Sequence, residues 1–400
     1  MSKKALQNIM VLDFSRSIAG PYCTKLLAAF GAEVIKVEEP KRGDPARYEG
    51  PFRDDRPDPE GSALFLYLNT GKKSITLDLQ AVAETNLLKM LIKEADVLVE
   101  NFPPGYMADL GIGYEKLAKI NPGLIMVSLT DFGQDGPYRN YQGGRLVENA
   151  LSGYMYVNGD PGREPLAGGG EQPAYQGGLH AYAGILAALI SRQLTGRGWY
   201  IDVSIMECMA SLHQFTVNRY AYSGKIQKRG GNRHIWSHPV TVYPCRDGHV
   251  LVCAGTEDQA EMLLTLVGET DALNDPRFES GIQRLIHADE FDGLVKPWFL
   301  DKTKKEIVEI CQEWRIPVAP VNEIPDLYED EQLRAREYWI ELDHPVAGRL
   351  PYAGAPFRMS ETPAVYSRAP LLGEHNEEIF ISRLGLTEAE MGQLKKDGVI

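Results

Sequence analysis

Residues 8–37 read NIMVLDFSRSIAGPYCTKLLAAFGAEVIKV, and this stretch decides the fold. The apolar run Asn8–Phe14 predicts a buried strand. Pro21–Phe30 predicts a helix that ends at Gly31, because glycine readily adopts the left-handed conformation that closes a helix. A second run, Glu33–Val37, predicts the next strand. A strand, a helix and a strand in this order indicate two parallel strands joined by a crossover helix.

The same alternation continues to about residue 204 and predicts an α/β fold, with a mostly parallel sheet covered by helices on both faces. The predicted helix Leu179–Leu194 is apolar on nearly every side, so it is expected to be central and buried. The other predicted strands are Ser74–Leu79, Val97–Glu100, Leu124–Leu129 and Tyr200–Ser204, with a helix at Ala83–Glu94.

The pattern changes after Tyr222. The basic, glycine-rich stretch KIQKRGGNR (residues 225–233) is typical of a linker or an exposed loop. Tyr243–Cys253 contains Asp247-Gly248 and predicts a β-hairpin, after which three helical segments follow. These features indicate a smaller α+β domain near residues 225–325.

The composition excludes several classes of protein. The chain has 400 residues, 44% of them hydrophobic, and a net charge of −13, so it can bury a large core and is a poor candidate for binding nucleic acid. The five cysteines form no CxxC pair, which argues against a disulfide framework and a structural zinc site. Because the chain has neither a signal-peptide pattern nor a long apolar run, a soluble cytoplasmic protein without membrane contact is expected.

Short motifs alone do not identify an activity. The chain carries no GxGxxG after its first strand, no GxxxxGK[ST] loop and no GxSxG. His234 and His238 have the spacing of metal ligands on a helix, but flanking glycines and Pro239 disfavour a helix, so two loop histidines and no metal are expected. Gly168–Glu171 is more simply a surface turn than an anion-binding nest.

A series of segments resembles the class III CoA-transferases, the CaiB/BaiF family. They are residues 11–47, LNTGKKSITLDL (68–79), ADVLVENFPPG (95–105), GGLHAYAGILAAL (177–189), TGRGWYIDVSIMECM (195–209), RIPVAPVNEIPDL (315–327) and RAPLLGEHNEEI (368–379). The resemblance implies a large Rossmann-like α/β domain over residues 1–222, a small α+β domain over 223–325, and a return segment over 326–400 that completes the large domain. It also implies a dimer in which two chains are linked like interlocked rings.

The resemblance further implies covalent catalysis by an aspartate. In the family this carboxylate attacks an acyl-CoA thioester to give an aspartyl anhydride, which the released CoA thiolate converts into an aspartyl-CoA thioester before the acceptor acid takes the CoA. The aspartate lies four residues before the glycine of a Gly-Leu or Gly-Met pair, and counting back from Gly178 gives Ala174. Since a methyl group cannot form an anhydride, no catalytic residue is expected on this chain.

Other positions also depart from the family pattern. Arg145 stands where the family often has an acidic residue, Asp109 where it usually has an arginine that holds the CoA nucleotide, and Glu39 at an early basic position. Carboxylates at the last two positions repel phosphate, so weak binding of coenzyme A is expected. The positions of the family's CoA pocket that the resemblance assigns to this chain, as a vestigial pocket, are Ile18, Ala19, Leu77, Asn101 and Phe102.

Two sets of residues are left open by the sequence. Three lysines would compensate for the lost cations if they faced the pocket, namely Lys36, Lys72 and Lys73. Four aromatic residues either line a pocket for an aromatic acid or pack in the core or an interface, namely Tyr175, Trp199, Tyr222 and Trp236.

The interpretation that follows is a non-catalytic subunit of a heteromeric CoA-transferase. A homologous partner chain would carry the aspartate and most of the bound coenzyme A, and the substrates would be an acyl-CoA and a carboxylic acid, without a metal. Three alternatives remain. They are an active homodimer that uses Glu171 or another carboxylate, an enzyme of acyl-CoA α-proton chemistry like the family's racemases, and a scaffold protein without turnover.

Overall fold

The computed structural model describes residues 4–83 and 85–400. Within them a sheet of six parallel strands has the order β3-β2-β1-β4-β5-β6. The strands are β1 (Met10–Asp13), β2 (Glu33–Glu38), β3 (Lys73–Thr76), β4 (Val97–Glu100), β5 (Ile125–Thr130) and β6 (Tyr200–Ser204). The predicted parallel α/β sheet is confirmed. β1 and β4 are buried at every position, which is why each reads as a continuous apolar run.

The order of the strands in the sheet reverses at β1, which lies between β2 and β4. β2 and β3 lie on one side of β1, and β4, β5 and β6 lie on the other. Val11 of β1 is in register with Val34 of β2 and with Val97 of β4. The loops that leave the carboxyl ends of β1 and β4 therefore diverge, and a crevice opens between them, as is usual at such a point in an α/β sheet.

Helices cover both faces of this sheet. Those of the first half of the chain are α1 (Ala19–Ala29), α2 (Ala63–Leu68), α3 (Leu79–Val82), α4 (Asn86–Glu94), α5 (Tyr106–Asp109), α6 (Tyr114–Ile120), α7 (Arg145–Leu151), α8 (Tyr154–Val157), α9 (Gln172–Thr195) and α10 (Ile205–Ser211). Short 3₁₀ turns lie at Pro45–Tyr48 and Arg53–Asp55. The core on one face includes Leu12, Leu98, Leu91, Leu117 and Phe380. The core on the other face includes Val11, Val99, Leu27, Ala181 and Ile185.

The long helix α9 begins seven residues earlier than the predicted Leu179 and ends as predicted, at Gly196 with φ +68°. The expectation that it is buried on all sides is wrong. α9 packs against α1, α10 and the edge of the sheet on one side, while Leu179, Ile190 and Leu194 on the outer side are exposed. A helix that lies on a sheet can bury only the face that it turns towards the sheet.

The last part of the chain returns to the same compact unit as the sheet. The described residues of this unit lie within 1–154, 168–214 and 334–400. It contains the hairpin β10 (Trp339–His344) and β11 (Gly348–Ala353), a π-helical turn (Glu377–Arg383) and α18 (Glu388–Lys396). α18 opens with a capping box, since the Thr387 hydroxyl accepts the Glu390 N–H and the Glu390 carboxylate accepts the Thr387 N–H.

A second compact unit comprises residues 155–167 and 215–333. Its antiparallel sheet has the order β7-β8-β9, formed by β7 (Val240–Cys245), β8 (Gly248–Cys253) and β9 (Val318–Pro320). The predicted hairpin with its turn at Asp247-Gly248 is confirmed. The helices that start in or next to this unit are α11 (Gln214–Ser223), α12 (Glu257–Val267), α13 (Gly281–Ile286), α14 (Ala288–Leu300), α15 (Lys304–Glu313), α16 (Ile324–Glu329) and α17 (Glu331–Ala335), with a 3₁₀ turn at Thr270–Asn274. The domain limits expected at residues 222 and 325 stay predictions.

None of the helices in residues 4–83 and 85–400 is both long and apolar enough to cross a lipid bilayer.

Candidate functional site

One side chain joins the two loops that border the crevice at the carboxyl ends of β1 and β4. The Asn101 Oδ1 accepts the backbone N–H of Arg16 at 2.7 Å, and the Asn101 Nδ2 donates to the Arg16 carbonyl at 2.8 Å. These reciprocal bonds join the loop after β4 to the loop after β1. Asn101, which the resemblance places in the CoA pocket, therefore has a structural task in building the crevice.

Two cavities lie in this crevice and bring four of the five predicted pocket residues together. A cavity of about 320 Å³ is lined by Ala19, Asn101 and Phe102, among others. A second cavity of about 240 Å³ is lined by Leu77 and, again, by Phe102. Ile18 precedes α1 and lines neither of the two. The assignment of these residues to coenzyme A stays a prediction.

The charges at the crevice are mixed. Glu39 lines the smaller cavity, as the sequence implied, together with Glu38 and Asp78. Glu38 is neutralised by Arg47, whose Nε and Nη2 donate to its two carboxylate oxygens at 2.7 and 2.8 Å. The pKa of Glu38 is lowered, because these bonds and the Arg47 charge outweigh its burial. Asp109, at the end of α5, lines neither cavity.

Arg16 is a crevice cation that the sequence reasoning missed. Its guanidinium lies 5.0 Å from the centre of the Phe102 ring, and its side chain lines the smaller cavity. The signal was present in the sequence, since Arg16 is the one basic residue between β1 and α1. The three lysines do not add cations here. Lys72 bonds Asp13 at 2.9 Å, Lys36 bonds Asp44 at 2.7 Å, and Lys73 bonds Glu33 and Glu378.

Ala174 lies in the first turn of α9, half-buried against the core between α9 and α1. The position of this turn depends on Gly178, one turn further on. A Cβ at Gly178 would lie 2.5 Å from the Ala19 carbonyl oxygen, so only glycine lets α9 approach the start of α1 so closely. The residue at position 174 is thereby fixed beside the helix whose first residue lines the larger cavity.

A pair of carboxyl groups that the sequence reasoning did not single out lies on the same side of the crevice. Asp131 lines the larger cavity, and it shares a hydrogen bond with Glu148 of α7, which is 3% exposed. Burial, and then the bond and charge of Asp131, raise the pKa of Glu148 to about 8. Position 143 requires glycine, because a Cβ at Gly143 would lie 2.1 Å from the Asp131 Oδ2. The available signal was the acidic residue directly after β5, at the carboxyl end of a parallel strand.

Arg145 and Glu171, two positions that the sequence analysis named, contact each other. The Arg145 Nε lies 3.3 Å from the Glu171 Oε1, and the Arg145 Nη1 donates to the Gly168 carbonyl at 3.4 Å. Both side chains are more than one third exposed, so the pair adds little to stability. The Gly168–Glu171 run forms the bend before α9.

A third buried carboxyl lies behind the loop that follows β4. The Glu100 Oε2 accepts the Phe102 N–H at 2.7 Å, and the Ser128 hydroxyl donates to the other oxygen. Glu100 also lines a cavity of about 470 Å³ with Gln134 and Tyr200. Burial raises the pKa of Glu100 to about 7, because its effect is larger than that of the two hydrogen bonds, which lower the pKa.

The remaining candidates from the sequence are dispersed. His238 is fully buried in the second unit, where its Nε2 lies 2.9 Å from the Asp292 Oδ1, and the His234 Nδ1 accepts the Trp236 N–H at 3.4 Å. Within the part of the chain that the structure describes, no group of three or more His, Cys, Asp or Glu side chains is arranged to hold a metal ion. Tyr175 and Trp199 belong to the first unit, whereas Tyr222 and Trp236 belong to the second.

Comparison with known proteins places this geometry in a family. The family model described as CoA-transferase family III matches residues 6–376. The chain belongs to the class III CoA-transferases, the CaiB/BaiF family. It is 35% identical over 99% of its length to succinyl-CoA–D-citramalate CoA-transferase of Chloroflexus aurantiacus, of which the match covers 98%. It is 34% identical, over 99% of its length and 98% of the relative's, to the beta subunit of succinyl-CoA–L-malate CoA-transferase of the same organism.

A solved structure of this class III family confirms the fold. The crystal structure of a CaiB/BaiF family protein from Brucella suis superposes with a TM-score of 0.86 at 31% identity, over 96% of this chain and 100% of that one. The substrates of class III CoA-transferases are CoA thioesters, so the crevice at the carboxyl ends of β1 and β4 is the candidate site for such a molecule.

Proposed function

We propose that this chain is the non-catalytic subunit of a heteromeric class III CoA-transferase that moves CoA from an acyl-CoA donor to a carboxylic acid in the cytoplasm. The observation that carries the proposal is Ala174. Its position in the first turn of α9, next to the helix that opens the crevice, carries a methyl group that can neither attack a thioester nor hold an acyl group. A homologous partner chain supplies the nucleophilic aspartate.

The nearest carboxyl groups are poor substitutes for that aspartate. Glu171 precedes α9 and is paired with Arg145 at 3.3 Å, so its charge is partly neutralised. Glu148 has a raised pKa and is 3% exposed, so near neutral pH it is largely protonated and out of reach of a thioester. Asp131 is the carboxyl that favours the alternative of an active homodimer, because it lines the larger crevice cavity.

The names of the relatives indicate the substrate class. The relatives act by name on D-citramalate, L-malate and glutarate with succinyl-CoA or succinate, and one is the beta subunit of its enzyme. We infer a succinyl-CoA-type donor and a dicarboxylic or related acid as acceptor. The division of labour that we propose is similar to that in succinyl-CoA:(R)-benzylsuccinate CoA-transferase, with this chain as the subunit that lacks the aspartate.

The proposal includes an extensive contact with the partner chain, linked like interlocked rings. Its support is the outer face of α9, where Leu179, Ile190 and Leu194 are exposed in one chain. A continuous apolar face of this kind on a long helix is typical of a protein interface.

The test is reconstitution. The chain is purified alone and also together with the homologous chain that co-purifies with it from its native source, and both preparations are assayed with succinyl-CoA and several dicarboxylic acids. We expect turnover only in the complex, with CoA adducts sensitive to hydroxylamine on the partner alone. Robust turnover by this chain alone, lost in D131N, would instead establish the active homodimer.

A further inference from the structure

Four tyrosines of the first compact unit lie close together, and the ring of one of them, Tyr67, lies against a buried lysine. We call Lys25 together with Tyr22, Tyr67, Tyr175 and Tyr338 the tyrosine cluster. The Lys25 Nζ lies 3.2 Å from the centre of the Tyr67 ring, and the rings of Tyr22 and Tyr175 meet edge to face at 4.8 Å. Burial is the largest cause that raises the pKa of Tyr67, and the nearby phenols of Tyr22, Tyr175 and Tyr338 raise it further. Each tyrosine is half-buried, so the rings also reach solvent.

Lys25 differs from the other buried lysines of its unit in having no anionic partner. Lys36 bonds Asp44 at 2.7 Å and the Ser15 carbonyl, and Lys72 bonds Asp13 at 2.9 Å and two further oxygens. Lys25 is 7% exposed, and within the described residues its ammonium forms no hydrogen bond or ion pair. Among the residues that the structure describes, its ammonium contacts the face of the Tyr67 ring.

An ammonium in this position is incompletely stabilised. A cation–π contact replaces only part of the hydration that a buried ammonium loses. Burial, followed by the positive charge of Lys72, lowers the pKa of Lys25 to about 7. Lys72 is itself held by Asp13, so the charged groups next to the cluster provide no free anion for Lys25.

We propose that the tyrosine cluster is a binding site for a small monocarboxylic acid with an apolar body. The single ammonium of Lys25 matches the single charge of a carboxylate, and the tyrosine hydroxyls supply donors for its oxygens. The tyrosine rings supply flat apolar walls for the body of the acid. A phosphate dianion carries two negative charges, whereas the cluster offers the single positive charge of Lys25. The inference does not depend on the transferase activity, because it concerns binding to this chain's own residues.

The test is calorimetric titration of the purified protein with benzoate in two buffers of different ionisation enthalpy, near pH 7. Binding of the anion stabilises the charged lysine, so about half a proton is taken up per benzoate at this pH. Benzamide, which has the same ring and no charge, is expected not to bind. Absence of benzoate binding at millimolar concentrations, or binding without proton uptake, overturns the proposal.

Three variants assign the effect to Lys25. K25M is expected to weaken benzoate binding at least about tenfold and to abolish proton uptake, while an apolar side chain of similar length keeps the helix folded. K25R keeps a permanent charge, so benzoate still binds and proton uptake is lost. K73M removes a partly exposed, paired lysine of β3 and serves as the matched control, with both quantities unchanged. Equal affinity for benzoate in K25M and the wild type would show that the site lies elsewhere.

Discussion

Glu148 illustrates how the surroundings of one residue set its charge. The side chain is almost fully buried in α7, and its nearest polar neighbour is another carboxyl, Asp131. Two carboxyl groups in contact cannot both ionise without strong repulsion, so they hold one proton between them. Asp131 of this pair lines the larger crevice cavity, so the two carboxyl groups beside the cavity carry less negative charge near neutral pH than their number suggests.

The first prediction is a pH dependence of stability. Between the ordinary pKa of 4.5 and about 8, the folded chain keeps a proton on Glu148 that the unfolded chain releases. The contribution of Glu148 is therefore complete below pH 4.5 and is lost as pH rises through about 8. E148Q removes this loss, which is on the order of 3–5 kcal/mol. Urea denaturation of both proteins at acidic and alkaline pH measures it. E115Q, at an exposed site of α6, is the control, and parallel pH profiles for wild type and E148Q would contradict the prediction.

The second prediction concerns Glu39 and Asp109, where the family resemblance leads one to expect cations. We expect the chain to bind CoA weakly, and the double variant E39R/D109R to bind it at least about tenfold more tightly, since arginine forms charge-assisted bonds with phosphate. Calorimetry with CoA measures the difference. E309R/E313R, which makes the same charge change at two exposed positions of α15, should have little effect. Tight CoA binding by the wild-type chain would contradict the prediction and would show that Arg16 is a sufficient cation for the CoA phosphates.

Among the helices and strands, α9 is the element that contributes Ala174 and the two glycines that fix its position. Its first two turns, with Pro173, Gly177 and Gly178, do not have the sequence pattern of a helix, and the predicted start at Leu179 was too late. Proline is nevertheless well suited to the start of a helix, where its missing N–H has no partner to lose. The glycines are explained by contacts that the local pattern does not contain, namely Ile205 opposite Gly177 and Ala19 opposite Gly178.

The third prediction tests this contact. G178A forces a Cβ to within 2.5 Å of the Ala19 carbonyl oxygen, a backbone atom that cannot move aside, so we expect a loss of about 2 kcal/mol of unfolding free energy. G184A in the same helix is the matched control. Its Cβ would lie 3.5 Å from the Ile201 Cγ2, and alanine favours a helix, so the variant should be neutral or slightly stabilised. Equal stabilities in urea denaturation would refute the close approach.

At the scale of the whole molecule, the crevice exists because the order of the strands reverses beside β1. Neither loop forms a pocket alone, and the bonds from Asn101 to Arg16 join residues 85 positions apart in the sequence. The exposed outer face of α9 belongs to the same scale, because it is the face that the proposed partner chain would cover.

The fourth prediction concerns that assembly. We expect an interface well above roughly 2,000 Å², so the isolated chain should be insoluble or form a homodimer in place of the heteromer. I190K/L194E introduces charges at two exposed positions of α9 and should weaken assembly without lowering the thermal stability of the folded chain. Light scattering at micromolar concentration measures the assembly. K93E, on α4 at the opposite face of the sheet, is the control, and a stable wild-type monomer would contradict the prediction.

The sequence by itself determined the parallel sheet, because buried strands such as β1 and β4 each begin with three apolar residues, and their alternation with helices admits few arrangements. It also determined the hairpin β7–β8 through its Asp-Gly turn, and the family through segments spread along the chain. Ala174 was found by counting along a motif, which requires no structure.

Only the tertiary structure decided which charged groups meet. The contact of Asp131 with Glu148, the ion pair of Arg145 with Glu171 and the contact of Lys25 with the Tyr67 ring join residues from different elements. Their protonation depends on burial and on neighbours a few ångströms away, and neither quantity is a function of local sequence. For the same physical reason the outer face of α9 could not be predicted to be exposed, since an apolar helix looks alike whether the sheet, a second chain or neither covers it.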